Sequence, residues 1–316
     1  MTAYLIFVAA IAGIYALMAM GLATIWGQGG MVNLGLVGFF ALGAYTSALT
    51  SAHGLPVVVA WLAGALLAGA VGVLLTLSTR RMRGDYLAIV SLGFAEVIRL
   101  VANNETWLTK GSDGISGIAS PFAGALAEYA NLLNMLMIWS VVSVVAWILT
   151  RLLRSPYGRA LRAVRDDDIV AAVAGKRVLS YKKKTFFLGA AVTGLAGAIY
   201  AHLTSYIAPD GFVPLLTIYI FLAVTLGGYT RLKGAVIGAV AVVALLEGTR
   251  FVAELLPGVN AVQASAVREF VIAVALIAMM QCRSEGLLKE RHDMANQKGE
   301  ERDGGSANGA PHVASQ

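Results

Sequence analysis

What most constrains this chain is a recurrence. Apolar stretches of about 20 residues fall at 3–25, 34–52, 56–78, 86–102, 131–150, 185–206, 212–228, 234–253 and 266–282, separated by short polar or basic segments. A bilayer core of about 30 Å takes about 20 helical residues to cross, and backbone amides inside it must be paired within their own segment, so each stretch reads as a membrane-spanning helix. The fold class that follows is all-α, a polytopic integral membrane protein of about nine segments within a domain covering 1–283. Composition agrees, with 58% of residues hydrophobic and 13% charged. The 35 glycines suit helices that must approach closely because lipid gives them little hydrophobic reason to associate. The first stretch has no basic flank and is too long for a signal-peptide core, so it is read as a retained helix. Cys282 is the single cysteine, which excludes a disulfide framework or a multi-thiolate metal site. His53 and His202 stand alone and are read as hydrogen-bonded or interfacial; no metal and no cofactor is expected.

The second window departs from a plain span. WGQGGMVNLGLVGFFALGAY crowds Gly27, Gly29, Gly30, Gly35, Gly38 and Gly43 together, so a broken or re-entrant helix is expected there, lining a pathway. Orientation comes from the basic residues. Clusters at Arg80 to Arg83, Arg151 to Lys184, Arg231 to Lys233 and from Arg283 onward hold 20 of the chain's 24 Lys and Arg. Two windows separate the first cluster from the second and two the second from the third, and two more separate the third from the tail if 234–282 forms two spans, which puts all four on one face. The positive-inside rule makes that face cytoplasmic, with the N-terminus and the segments near 103–130, 207–211 and 254–265 outside. Residues 284–316 are polar and Gly-rich, and are expected to be a disordered cytoplasmic tail.

The segment 155–184, SPYGRALRAVRDDDIVAAVAGKRVLSYKKK, is too polar to span. Pro156 suits a first helical position and Gly175 a stop, which predicts one or two short helices outside the membrane. Arg159, Arg162 and Arg165 recur every three residues and are expected to share a charged face, while Ala171, Ala172, Ala174 and Gly175 permit close docking. On charge alone, an interfacial helix attracted to anionic lipid explains the segment equally well.

The order Ser155, Gly158, Arg159, Ala160, Arg162, Ala163, Arg165, Asp166, Asp167, then Val170, Ala171 and Gly175, resembles the permeases of the branched-chain amino-acid ABC importer family. The resemblance covers most of residues 20–250. It includes GDYLAIVSLGFAEVIRLVANNETWLTKGSDGISGI from Gly84 to Ile118 and LGGYTRLKGAVIGA from Leu226 to Ala239. It implies that 155–184 is a coupling loop docking on an ATP-hydrolysing subunit, with Gly158, Arg159, Arg162, Arg165, Asp166, Asp167, Ala171 and Gly175 at the contact. It further implies a bacterial inner-membrane location, a second homologous permease, two cytoplasmic ATPase subunits and a periplasmic amino-acid-binding protein as partners, and branched-chain or related hydrophobic amino acids as cargo. Nothing points to nucleic acid.

Polar groups within the spans are the remaining candidates. Glu96 and Arg99 stand at i, i+3 and are expected either to form a structural ion pair or, with Asn103, Gln28 and Asn33, to border the translocation path. Glu247 and Arg250 repeat the spacing and are read as structural. The series Gly189, Thr193, Gly197, Ala201 and the pair Gly234, Gly238 are helix-packing faces. Lys110 and Asp113 offer charge to a binding protein or simply to solvent. The chain has no G-x-x-x-x-G-K-[ST] phosphate loop, so ATP hydrolysis is expected on another subunit, and no catalytic constellation is visible. An ion-gradient-driven secondary transporter and an ABC permease for urea or short amides are the competing readings.

Overall fold

The computed structural model describes residues 2–80, 84–122 and 129–254, together with 266, 267, 269, 270, 273, 274 and 277. Eleven α-helices are seen among the described residues: α1 (Thr2–Leu22), α2 (Leu36–Ala52), α3 (Val57–Ser78), α4 (Gly84–Asn104), α5 (Thr106–Thr109), α6 (Ala130–Arg154), α7 (Pro156–Asp166), α8 (Asp168–Val173), α9 (Val178–Thr204), α10 (Pro214–Gly227) and α11 (Leu232–Glu254). A π-helical turn, Ala23–Gln28, extends α1. Among the described residues, six stretches are long and apolar enough to cross a bilayer: Thr2–Gln28, Val57–Ser78, Tyr86–Asn104, Ala130–Arg154, Val178–Thr204 and Pro209–Gly227. The chain is thus a multi-pass helical membrane protein. The last expected window, 266–282, falls largely outside the described residues, as do Arg81, Arg83, the side chain of Arg250, Cys282 and the tail 284–316.

Successive helices alternate in direction. Gly64 of α3 faces Gly194 of α9 while Gly69 faces Phe187, so these two run antiparallel; α2 runs parallel to α9, with Gly43 against Gly194 and Ser47 against His202. The ends of α1, α3 and α6, the start of α9 and the turn 228–231 therefore gather with α7 and α8 at one end of the bundle. That end carries Arg80, the 151–184 cluster, Arg231 and Lys233.

At the core is α9, flanked by α1, α2 and α3. Its contacts depend on the absence of side chains: a methyl at Gly197 would fall 1.9 Å from the Phe40 carbonyl oxygen, and one at Gly43 1.9 Å from that of Gly194. Direct backbone approach of this kind is how membrane helices gain van der Waals contact.

Two expectations need correction. The break expected in the 26–45 stretch falls before α2 and not within it: α2 is continuous for 17 residues, and its glycines are contact points, Gly38 on Ala95 and Gly43 on Gly194. Irregular backbone is confined to 29–35, before the helix, where the Asn33 carboxamide oxygen accepts from the Gly35 amide (3.0 Å) and the Ser91 hydroxyl from the Leu34 amide (3.0 Å). A further irregular segment, which the sequence reading did not single out, follows α9. After α9, residues 205–213 fold back so that Phe212 is buried between Phe40 (5.7 Å between ring centroids) and Tyr45 (5.6 Å), leaving α10 only 14 residues, about 21 Å, to return to the basic end. Finally, α9 starts at Val178, so Lys182, Lys183 and Lys184 belong to its second turn and not to a loop reaching 184. No Pro or Gly stands between 178 and 188 to stop the helix, and lysine stems can lie along an apolar surface while the ammonium reaches polar surroundings.

The opposite end is closed by a two-residue antiparallel pair, β1 (Ile115–Ser116) with β2 (Tyr206–Ile207). Beneath it, the His202 ring is fully buried, its Nδ1 2.7 Å from the Ala119 carbonyl and its Nε2 2.9 Å from the Ser47 hydroxyl. A carbonyl only accepts, so Nδ1 carries the proton and Nε2 accepts from Ser47. His202 is thereby a structural group joining α2, α9 and the 115–119 segment.

Candidate functional site

The segment after α6 folds as two short helices. The Ser155 hydroxyl caps α7 by accepting from the Tyr157 amide (3.2 Å), and Pro156 occupies the first turn, where its missing N–H costs nothing. Gly158 is buried at the corner: a methyl there would lie 1.9 Å from the Leu153 carbonyl oxygen, so glycine is what lets α7 fold sharply back on α6. The Asp167 carboxylate caps α8, accepting from the Ile169 amide (2.8 Å) and the Val170 amide (2.9 Å). Gly175, at φ +76°, closes the unit in a conformation that glycine adopts without strain.

The three arginines do not share one role. Arg165 donates from Nη1 to the Gly27 carbonyl (2.9 Å) and from Nε to Asp166 (3.0 Å), tying α7 to the end of α1. The accepting carbonyl belongs to the π-helical turn, where Trp26 stacks on Tyr229 (5.3 Å) and packs on Phe221 (5.1 Å). Arg162 turns back to the Leu153 carbonyl (3.3 Å). Only Arg159 is exposed and unpaired among the described residues. Asp168 pairs with Lys182 and so fastens α8 to α9. Tyr157 reaches the Thr185 hydroxyl (2.9 Å) and stacks on Tyr181; burial, only partly offset by the Thr185 hydrogen bond, holds its phenol above the usual tyrosine range. The α7–α8 unit is thus anchored to α1, α6 and α9.

What it presents outward is apolar. Ala171 is buried, but Ile169 is 77% exposed, Val170 64% and Val173 86%. Three large aliphatic side chains this exposed on a six-residue helix, at the polar end of the molecule, form the kind of patch that marks an association surface. Sequence reasoning looked to the small residues and missed these three. The available signal was an Ile-Val pair and a Val four residues on, inside an otherwise polar segment.

The candidate path residues fall in two places. Gln28 and Asn33 are buried toward the basic end; the Gln28 amide donates to the Thr230 carbonyl (2.6 Å), while Gln28 Oε1 and Asn33 Nδ2 have no partner among the described residues. Glu96, Arg99 and Asn103 lie along α4, farther toward the opposite end. Arg99 Nε donates to both Glu96 oxygens (3.2 and 3.1 Å), and the pair is part-exposed on the outer flank of the helix. Asn103 is exposed. The described part of a single chain does not bring the five together. Glu247 accepts from the Tyr4 hydroxyl, joining α11 to α1. Lys110 is exposed in a left-handed turn beside the 111–113 segment, where the Asp113 carbonyl accepts from the Tyr206 hydroxyl (3.1 Å).

Comparison with known proteins agrees with this architecture. The chain is 32% identical over 264 residues to the high-affinity branched-chain amino acid transport system permease protein LivM of Escherichia coli (strain K12), covering 76% of this chain and 62% of that protein. It is 28% identical over 184 residues to the probable LivM of Methanocaldococcus jannaschii, covering 57% and 52% of the two chains. With LivH of Escherichia coli (strain K12) it shares 28% identity over 242 residues, 71% of this chain and 78% of that one. The chain spans about three-fifths of the length of the Escherichia coli LivM that it matches. No solved structure matches it. Residues 4–280 fit the family described as "Branched-chain amino acid transport system / permease component", and the chain therefore belongs to that family of membrane permeases.

Proposed function

We propose that this chain is the membrane-spanning permease subunit of an ATP-driven importer for branched-chain or related hydrophobic amino acids. The observation that carries the reading is α8: Ile169, Val170 and Val173 stand exposed on a helix held to α9 by Asp168–Lys182, beside an α7 clamped to α1 by Arg165. A cytoplasmic ATPase docking on α8 would pull on the spanning helices through those anchors, with Arg159 as the free charge at the contact. The names of LivM and LivH support the cargo class. In this reading ATP is hydrolysed on two partner ATPase subunits, a second homologous permease covers part of the bundle, and a periplasmic binding protein delivers the amino acid. The basic end faces the cytoplasm of a bacterial inner membrane, and the C-terminus lies there too.

The same reading assigns the path. A second permease against the outer flank of α4 would enclose Glu96, Arg99 and Asn103, whose ion pair then meets the charged ends of a passing zwitterion. Gln28 Oε1 and Asn33 Nδ2 supply an acceptor and a donor nearer the exit.

Replacing Ile169 and Val173 together by Glu tests the docking. The expected result is a correctly inserted chain that no longer co-purifies with the ATPase and supports no ATP-dependent uptake. Co-purification and uptake at the unmodified level would overturn the reading.

A further inference from the structure

A cleft of about 580 Å³ opens at the basic end between α3, α6 and α9. Val73, Leu152, Phe187 and Leu188 form its apolar wall, and Lys183 and Lys184 stand at its rim. Around Tyr157, which lines both, a second hollow of about 450 Å³ adds Lys176 and Arg177. Neither hollow is lined by an Asp or Glu. Lys182, the third lysine of the run, is paired with Asp168, whereas Lys176, Arg177, Lys183 and Lys184 have no carboxylate partner among the described residues. Four uncompensated cations therefore border two adjoining hollows that share Tyr157, Ser180 and Lys184, and the larger of the two has an apolar wall.

From this juxtaposition we infer that the cleft binds an anionic phospholipid. Its phosphodiester would lie among Lys183, Lys184, Lys176 and Arg177, with the Ser180 hydroxyl as a further donor, and an acyl chain would run along Phe187 and Leu188. Charge selects the headgroup, since each Lys or Arg at a membrane surface attracts anionic lipid. The apolar wall selects a lipid over a soluble anion, because a free phosphate would leave Phe187 and Leu188 uncovered. The placement beside Tyr157 and the first turns of α9 puts the lipid against the corner from which α7 and α8 hang. The inference is separate from the docking role of α8, whose exposed residues do not line either hollow.

Native mass spectrometry of the purified full-length chain, equilibrated in micelles with phosphatidylglycerol or phosphatidylcholine, reads the site directly. The unmodified chain is expected to retain phosphatidylglycerol at least about tenfold more than phosphatidylcholine, and K183Q/K184Q to lose about tenfold of that retention. L188W, which fills the groove and leaves the charges, should lose it as well. R231Q/K233Q, which removes two cations at the same end but outside the cleft, should retain it. Equal retention of the two lipids, or undiminished phosphatidylglycerol on K183Q/K184Q, would overturn the inference. So would displacement of the lipid by millimolar inorganic phosphate, which would indicate a soluble anion. Loss of bound lipid on assembly with the second permease would indicate protein in the cleft and would equally overturn it.

Discussion

α9 and α4 are both apolar spans, yet they occupy opposite places in the molecule. In its most apolar stretch α9 has 61% of its residues buried, against 22% for α4. Bulk hydrophobicity does not explain this, since each helix carries three charged groups, Lys182, Lys183 and Lys184 in α9 and Asp85, Glu96 and Arg99 in α4. The difference is side-chain size. α9 places Gly189, Thr193, Gly197 and Ala201 on faces where α1 and α2 reach its backbone, while α4 turns Tyr86, Ile89, Val97 and Leu100 outward. Lipid is as apolar as leucine, so the bilayer does not drive large aliphatic residues inward, and helices enter the core where small residues let them pack.

The sharpest way to break that comparison is Gly197→Leu. Its side chain would begin 1.9 Å from the Phe40 carbonyl, so it should prevent recovery of folded protein, while Gly93→Leu on α4, with open space around it, should leave thermal stability in detergent unchanged. Comparable melting of the two variants would refute packing by small residues as the cause. Next in size is the α4 ion pair. Glu96→Gln strands Arg99 within a span and should cost about 3 kcal/mol in a membrane-insertion assay, while E96Q/R99Q should recover most of that loss. An E96Q/R99Q variant no better than E96Q would mean the pair has no mutual role. On the α9 side, Ser47→Ala removes the hydroxyl that His202 Nε2 accepts from and should lower unfolding stability by about 1–2 kcal/mol. The smallest effect is expected for Tyr157→Phe, which deletes one hydrogen bond to Thr185 but keeps the stacking on Tyr181, at about 0.5–1 kcal/mol.

The order and approximate limits of the described apolar helices were legible because each is a long apolar run between polar segments, a pattern that survives without tertiary contacts. The α7 start was legible too, since Ser155–Pro156 is a local capping signal. The fold-back after α9 was not. Residues 205–213 carry no breaker pattern stronger than that of 27–35, where a break was expected, and their fold-back rests on Phe212 finding a slot between Phe40 and Tyr45. The α7–α8 unit divided in the same way: its two short helices could be read, but the direction of each side chain could not. Arg159, Arg162 and Arg165 are equivalent by spacing, and only the nearby Leu153 and Gly27 carbonyls turn two of them inward.

By itself the sequence determined that this is a multi-pass helical membrane protein with its cations concentrated in a few segments, because crossing a bilayer demands long apolar runs and charge is costly within them. Only the tertiary structure decided that α9 is central, that Gly158 is a packing corner, and that Ile169, Val170 and Val173 face outward while Arg159 alone of the arginine series does so. Those outcomes depend on which backbone carbonyls and small residues from distant segments arrive beside each side chain. One-dimensional periodicity does not record that, least of all in a membrane, where the two sides of a helix can be equally apolar.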